Sequence, residues 1–118
     1  MKHRGLCHLH LAVRDIERSI RFYVEAFGLE VLHQRGDMAF LRTPGMHECL
    51  TLRQQTGPRV GDAGGIDHFG FPLQDPADLD TAIEQIVRAG GRLLEKGALE
   101  GGLPTAFLAD PDGYRIQI

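Results

Sequence analysis

The stretch HLHLAVRD at residues 8–15 returns as HFGFPLQD at residues 68–75. Each copy starts with His, places apolar residues one, three and five positions later, and closes on Asp. A chain that writes one local pattern twice is built from two copies of one supersecondary unit, and such units bury their apolar faces against each other. That constraint is stronger than anything composition supplies.

The segments downstream of the two copies are also parallel. In the first half, residues 6–13 alternate Leu9, Leu11 and Val13 against His8, His10 and Ala12, a period-two strand pattern. Asp15 then precedes Ile16, Ile20, Tyr23, Val24 and Phe27, whose three- and four-residue spacing predicts an amphipathic helix. Asp15 is its N-cap and Gly28 lies just past its end. Residues 30–35, 38–42 and 48–54 read as strands separated by turn signals. In the second half, 65–73 reads as a strand and Asp75-Pro76 as a helix start. Leu79, Ile83, Ile86 and Val87 carry the helical stripe, and strands come next at 92–98, 105–109 and 114–118. The turn DPDG at 110–113 is explained by its own residue types.

The expected class is therefore α+β: two tandem β-α-β-β-β modules in one domain covering 1–118. Module one spans 1–54, a Gly-rich polar connector 55–64, and module two 65–118. Neither half of about sixty residues buries its own sheet comfortably, so the halves should pack together.

Composition narrows the function. The formal net charge of −3 gives no electrostatic reason to bind nucleic acid. No apolar run is long enough for a membrane span, and no leader-like segment opens the chain. Cys7 and Cys49 lack the close spacing of a metal or redox motif and read as free thiols of a cytoplasmic protein.

With its duplicated strand motif and its final DPDGYRIQI hairpin, the chain resembles the vicinal oxygen chelate superfamily. That family includes glyoxalase I, extradiol dioxygenases, fosfomycin-resistance transferases and bleomycin-binding proteins. The resemblance implies eight strands curving into an open mixed-sheet cleft with the helices outside. It implies one divalent metal (Fe, Mn, Ni, Co or Zn), a small-molecule substrate and a homodimer. Carried over by position, the metal ligands are His8, His68 and Gln117, with Cys49 where glyoxalases add a fourth.

Strand parity points the same way. With Leu9, Leu11 and Val13 against the helices, His8 and His10 face outward, as does His68 in the second copy. Leu50 and Leu52 inward put Cys49, Thr51 and Arg53 outward. Ile116 and Ile118 inward put Arg115 and Gln117 outward. His10, Thr51 and Arg53 are the expected substrate contacts. His3, His33 and His47 read as surface or turn residues.

Gln117 departs from the glutamate that metal-dependent members carry. Its carbonyl can ligate, but it brings no charge and takes no proton near neutral pH. With Cys49 in place of a second glutamate, this weighs against glyoxalase I chemistry and leaves two expectations. One is a dioxygenase-like or lyase-like metal enzyme. The other is a metal-free, bleomycin-resistance-like binding protein.

Overall fold

A computed structural model describes residues 1–2 and 5–118; His3 falls outside them. Asp15 caps helix α1 (Ile16–Phe27) by accepting the Arg18 amide at 3.0 Å, and the Gln54 side chain accepts the Ile16 amide at 3.0 Å. Gly28 ends the helix in the left-handed region at φ 65°, its amide donating to Val24 O at 3.0 Å. The strands of module one are β1 (His8–Val13), β2 (Glu30–Arg35), β3 (Met38–Arg42) and β4 (Cys49–Gln54). They form one sheet in the order β1-β4-β3-β2, with β1 parallel to β4.

Module two repeats this arrangement. Its elements are β5 (Phe69–Gly70), α2 (Leu79–Arg88), β6 (Arg92–Ala98), β7 (Pro104–Ala109) and β8 (Arg115–Gln117). The sheet order is β5-β8-β7-β6, with β5 parallel to β8. The eight strands thus fall into two hydrogen-bonded sheets of four. The register slips once between β2 and β3, at Val31/His33, and once between β6 and β7, at Leu93/Glu95. These are corresponding places, so the duplication extends to its irregularities.

Most boundaries fall within two residues of expectation, and two elements depart further. The strand expected over 65–73 narrows to Phe69–Gly70, because Pro72 has no amide to donate and Gly64 and Gly65 turn the chain at positive φ. The second helix begins at Leu79 rather than after Asp75. Asp75 instead caps a short 3-10 turn at Pro76–Asp78, accepting the Ala77 amide at 2.9 Å.

The helices of both modules share one core. Phe22, Tyr23, Leu41, Leu52, Ile86, Leu108 and Ile116 are its largest fully buried apolar side chains. Gln85 on α2 donates to the carbonyls of Glu25 (2.8 Å) and Ala26 (3.3 Å), filling acceptors that the end of α1 leaves open. Joint burial is what the half-module argument demanded. Among the described residues no helix is long and apolar enough to cross a membrane.

Candidate functional site

The helix-free face of the first sheet carries most of the expected residues. Parallel pairing sets His8 opposite Cys49 and His10 opposite Thr51, and antiparallel pairing sets Phe40 opposite Thr51. Alternation then places these side chains on one face, where they line a hollow of about 420 Å³ with Cys7, Met38 and His47. His8 and His10 are exposed, Cys49 is half-buried, and Thr51 is buried. The Cys49 Sγ lies 3.8 Å from the Thr51 hydroxyl. Both cysteines are free thiols.

Two neighbours do not join this hollow. Arg53 pairs with Asp37 at 3.4 Å on the sheet surface. Glu48 precedes a strand whose pairing with β1 and β3 runs without a slip. Its carboxylate accepts the Thr43 amide at 3.3 Å, and hydrogen bonding from the Thr43 side chain is the main reason its pKa lies below the usual value.

On the second sheet Gln117 stands opposite both Gly70 and Phe107. Gly70 permits the close strand approach, since a Cβ there would lie 3.0 Å from the Gln117 carbonyl oxygen. The Gln117 side chain donates from Nε2 to the Thr105 hydroxyl at 3.2 Å, and that hydroxyl donates to Ile118 O at 2.8 Å. The amide's donor side is thereby used, and Oε1 remains available as an acceptor. Gln117 and Thr105 line a hollow of about 300 Å³ with Phe71, Leu73, Leu103 and Pro104, and no charged side chain borders it.

His68 immediately precedes β5. Its Nδ1 lies 2.6 Å from Asp67 Oδ2, and its ring stands edge-on to Phe107 at a centroid distance of 5.1 Å. The Arg115 guanidinium covers the same Phe107 ring at 4.0 Å, and reaches Asp67 at 3.7 Å and Glu95 at 3.4 Å. The hydrogen bond to His68 is the largest influence holding the Asp67 carboxyl below its usual range; partial desolvation opposes it and Arg115 assists. In module one the corresponding contact is Cys7 Sγ to His8 Nδ1 at 3.3 Å. In each copy, the residue before the histidine occupies Nδ1.

The structure brings His8, His10, Cys49 and Thr51 together, and it places His68 and Gln117 on the other sheet. At the module boundary a hollow of about 220 Å³ is lined by His8, Glu48 and Cys49 from one side and Phe69, Gly70 and Phe71 from the other. None of these three hollows is lined by His8 together with His68 or Gln117. Nor, among the described residues, do three His, Cys, Asp or Glu side chains gather into a group able to hold a metal. Sequence reasoning missed Asp67, Phe107 and Thr105, and saw Arg115 only as outward-facing. Phe107 and Thr105 sit on alternate positions of β7, where the strand pattern offered a signal. For Asp67 the signal was its place directly before the repeated histidine.

Comparison with known proteins places these features in context. The profile of the Glyoxalase/Bleomycin resistance protein/Dioxygenase superfamily matches residues 5–118. A probable chloroplastic lactoylglutathione lyase of Arabidopsis thaliana is 32% identical over 98% of this chain and 35% of its own length. A manganese-dependent 2,3-dihydroxybiphenyl 1,2-dioxygenase of Geobacillus genomosp. 3 is 30% identical over 94% of this chain and 35% of its own. The chain thus spans little more than a third of these relatives. A solved glyoxylase/bleomycin resistance protein/dioxygenase domain from Frankia sp. EAN1pec superposes with a TM-score of 0.79 at 27% identity, covering 98% of this chain and 96% of that one.

Proposed function

Since the chain belongs to the Glyoxalase/Bleomycin resistance protein/Dioxygenase superfamily, we propose that it is a small metal-dependent enzyme acting on an organic substrate through two adjacent oxygens. The reaction is dioxygenase-like or lyase-like. The observation carrying this reading is that His8 and His68 occupy equivalent positions of the two modules, each with Nδ1 in contact with the side chain of the residue before it. Two imidazoles and one amide oxygen suit a borderline divalent ion, Fe, Mn, Ni, Co or Zn. The relative from Geobacillus genomosp. 3 is manganese-dependent by name.

In this reading His8, His68 and Gln117 hold the metal, with Cys49 as a possible further ligand. The ion, when bound, polarises the substrate oxygens and stabilises the negative charge that develops on them. The protein's own residues do the rest. His10 and Thr51 contact substrate from the first sheet, and Arg53 holds an anionic group if it leaves Asp37. The apolar walls beside Gln117 exclude water from the substrate's carbon skeleton.

His8 lines a hollow on one sheet while His68 and Gln117 belong to the other. This supports a homodimer in which facing sheets of two copies complete the centre. Metal analysis of protein purified without a histidine tag tests the reading. We expect stoichiometric metal in the wild type and its loss in the His8→Ala/His68→Ala double variant. Equal metal in both rejects these ligands. Sedimentation as a monomer throughout the micromolar range rejects the shared centre.

A second reading is a metal-free protein that sequesters a small hydrophobic molecule in the cytoplasm. The uncharged hollow beside a neutral Gln117 favours it. Chelator-insensitive binding of a compound recovered unchanged supports that reading, and chelator-sensitive turnover removes it.

A further inference from the structure

We propose that Asp67 is a positioning residue for His68: its carboxylate, braced by Arg115, holds the imidazole in the Nδ1–H form and leaves the Nε2 lone pair free. The proposal rests on the metal reading only for its consequence.

The geometry is specific. Asp67 Oδ2 approaches His68 Nδ1 at 2.6 Å, the short distance expected when the acceptor is ionised. A surface Asp beside a His would ordinarily swing freely, but both partners here are fixed. The His68 ring stands edge-on to Phe107. Arg115 lies over the same ring, anchored by Glu95, and reaches the same Asp67 Oδ2 at 3.7 Å. Phe107 therefore carries both the imidazole and the cation that steadies the carboxylate.

The duplication supplies an internal comparison. Pairing sets His8 opposite Cys49 in module one. In module two Phe69 stands opposite Ile116, so extending that register by one residue aligns His68 with Arg115. The position holding a possible ligand in one copy thus holds, in the other, a cation unable to bind metal. Arg115 braces the carboxylate behind the histidine instead.

This placement also bears on Gln117. A carboxylate that accepts from the far nitrogen of a ligating imidazole raises that ligand's basicity and fixes its orientation. The negative charge absent from Gln117 is then supplied one hydrogen bond further out, through Asp67. Each change should consequently matter more when the other anion is missing.

The experiment uses nitrogen-15 NMR of imidazole tautomers in the metal-free full chain near pH 8.5, where an ordinary imidazole is neutral. It compares the wild type with Asp67→Ala and Asp67→Asn, and uses His68→Gln to assign the resonances. We expect the Nδ1–H form at His68 in the wild type and a mixed population in Asp67→Ala, with an unchanged melting temperature because Asp67 is exposed. Co(II) titration should then show affinity weakened about 10–100-fold in Asp67→Ala. That loss should be smaller when Gln117→Glu is also present. A wild-type His68 in the Nε2–H form, or a tautomer population indifferent to Asp67→Ala, overturns the proposal. If the tautomer shifts but the wild type takes up no Co(II), the positioning stands and the metal reading is the part that fails.

Discussion

Gln117 Nε2 donates to the Thr105 hydroxyl across 3.2 Å, and the Thr105 proton goes to the Ile118 carbonyl at 2.8 Å. The hydroxyl therefore presents lone pairs to position 117 and needs a donor there, which glutamine supplies and a carboxylate does not. Thr105 is buried, so losing its oxygen leaves the buried Ile118 carbonyl one donor short, with the Ala106 amide still on it, and takes a partner from the half-buried Gln117 amide. Thr105→Val should cost about 1–2 kcal/mol of stability, read as a lower urea midpoint with an unchanged slope. A wild-type midpoint would show that the relay contributes nothing.

Gln117→Glu tests the same relay from its other end. An ionised side chain would force Thr105 to turn its proton away from Ile118, at a small stability cost. In exchange, a neutral metal ligand becomes anionic. Mn(II) or Co(II) should bind tighter by about an order of magnitude or more, measurable by calorimetry. Unchanged affinity would remove Gln117 from the ligand set. Absence of binding in both proteins would favour the sequestering reading.

Much of the frame was legible because it is local. Asp15 and Gly28 announce the ends of α1 through their own chemistry, and the stripe from Ile16 to Phe27 states which face is buried. Parity alone put His8, His10, Cys49 and Thr51 on one face. What escaped is non-local or hidden by a sufficient local account. DPDG explained itself as a turn, so nothing in the sequence showed that Asp112 would meet Arg18 across 94 positions. Thr51 was expected as an open substrate contact, but Phe40 and the strands beside it leave it buried at the floor of its hollow. Arg53 faces outward as parity requires, yet the turn before β3 supplies Asp37 as a competing partner. The shared use of Phe107 by His68 and Arg115 depends on pairing between β7 and β8, which sequence spacing does not specify.

Asp112 joins the modules. Its side chain is fully buried and accepts from the Arg14 amide (3.3 Å), Arg14 Nη1 (3.4 Å), Arg18 Nη2 (2.9 Å) and the Ser19 hydroxyl (3.4 Å). The two guanidinium side chains are 55% and 40% exposed, so they can recover hydration if the carboxylate goes. Ser19 is fully buried and cannot. Asp112→Ala should therefore destabilise by about 2–4 kcal/mol, checked by equilibrium urea unfolding. A loss below about 0.5 kcal/mol, of the order of a neutral surface change, would mean that the shared helical core alone holds the modules together.

Asp110 gives a pH-dependent prediction whose sign is fixed by burial. Desolvation is the largest influence on its carboxyl and raises the pKa above 3.8, against the lowering effects of the Tyr23 hydroxyl and the turn amides. The folded protein therefore holds this proton to higher pH than the unfolded chain does. The resulting stabilisation is fully present below the unfolded value and is lost as pH rises through the folded one. Asparagine has the same shape. Its carbonyl can keep the amides of Asp112, Gly113 and Tyr114, which Asp110 Oδ1 accepts at 2.8–2.9 Å, while its amino group faces the Tyr23 oxygen. Asp110→Asn should fold and should lack this falling contribution. Its stability relative to wild type should improve as pH rises from the ordinary carboxylate range toward neutrality in paired urea titrations. A difference that stays constant with pH would show that Asp110 titrates alike in both states, and one that worsens would reverse the assigned sign.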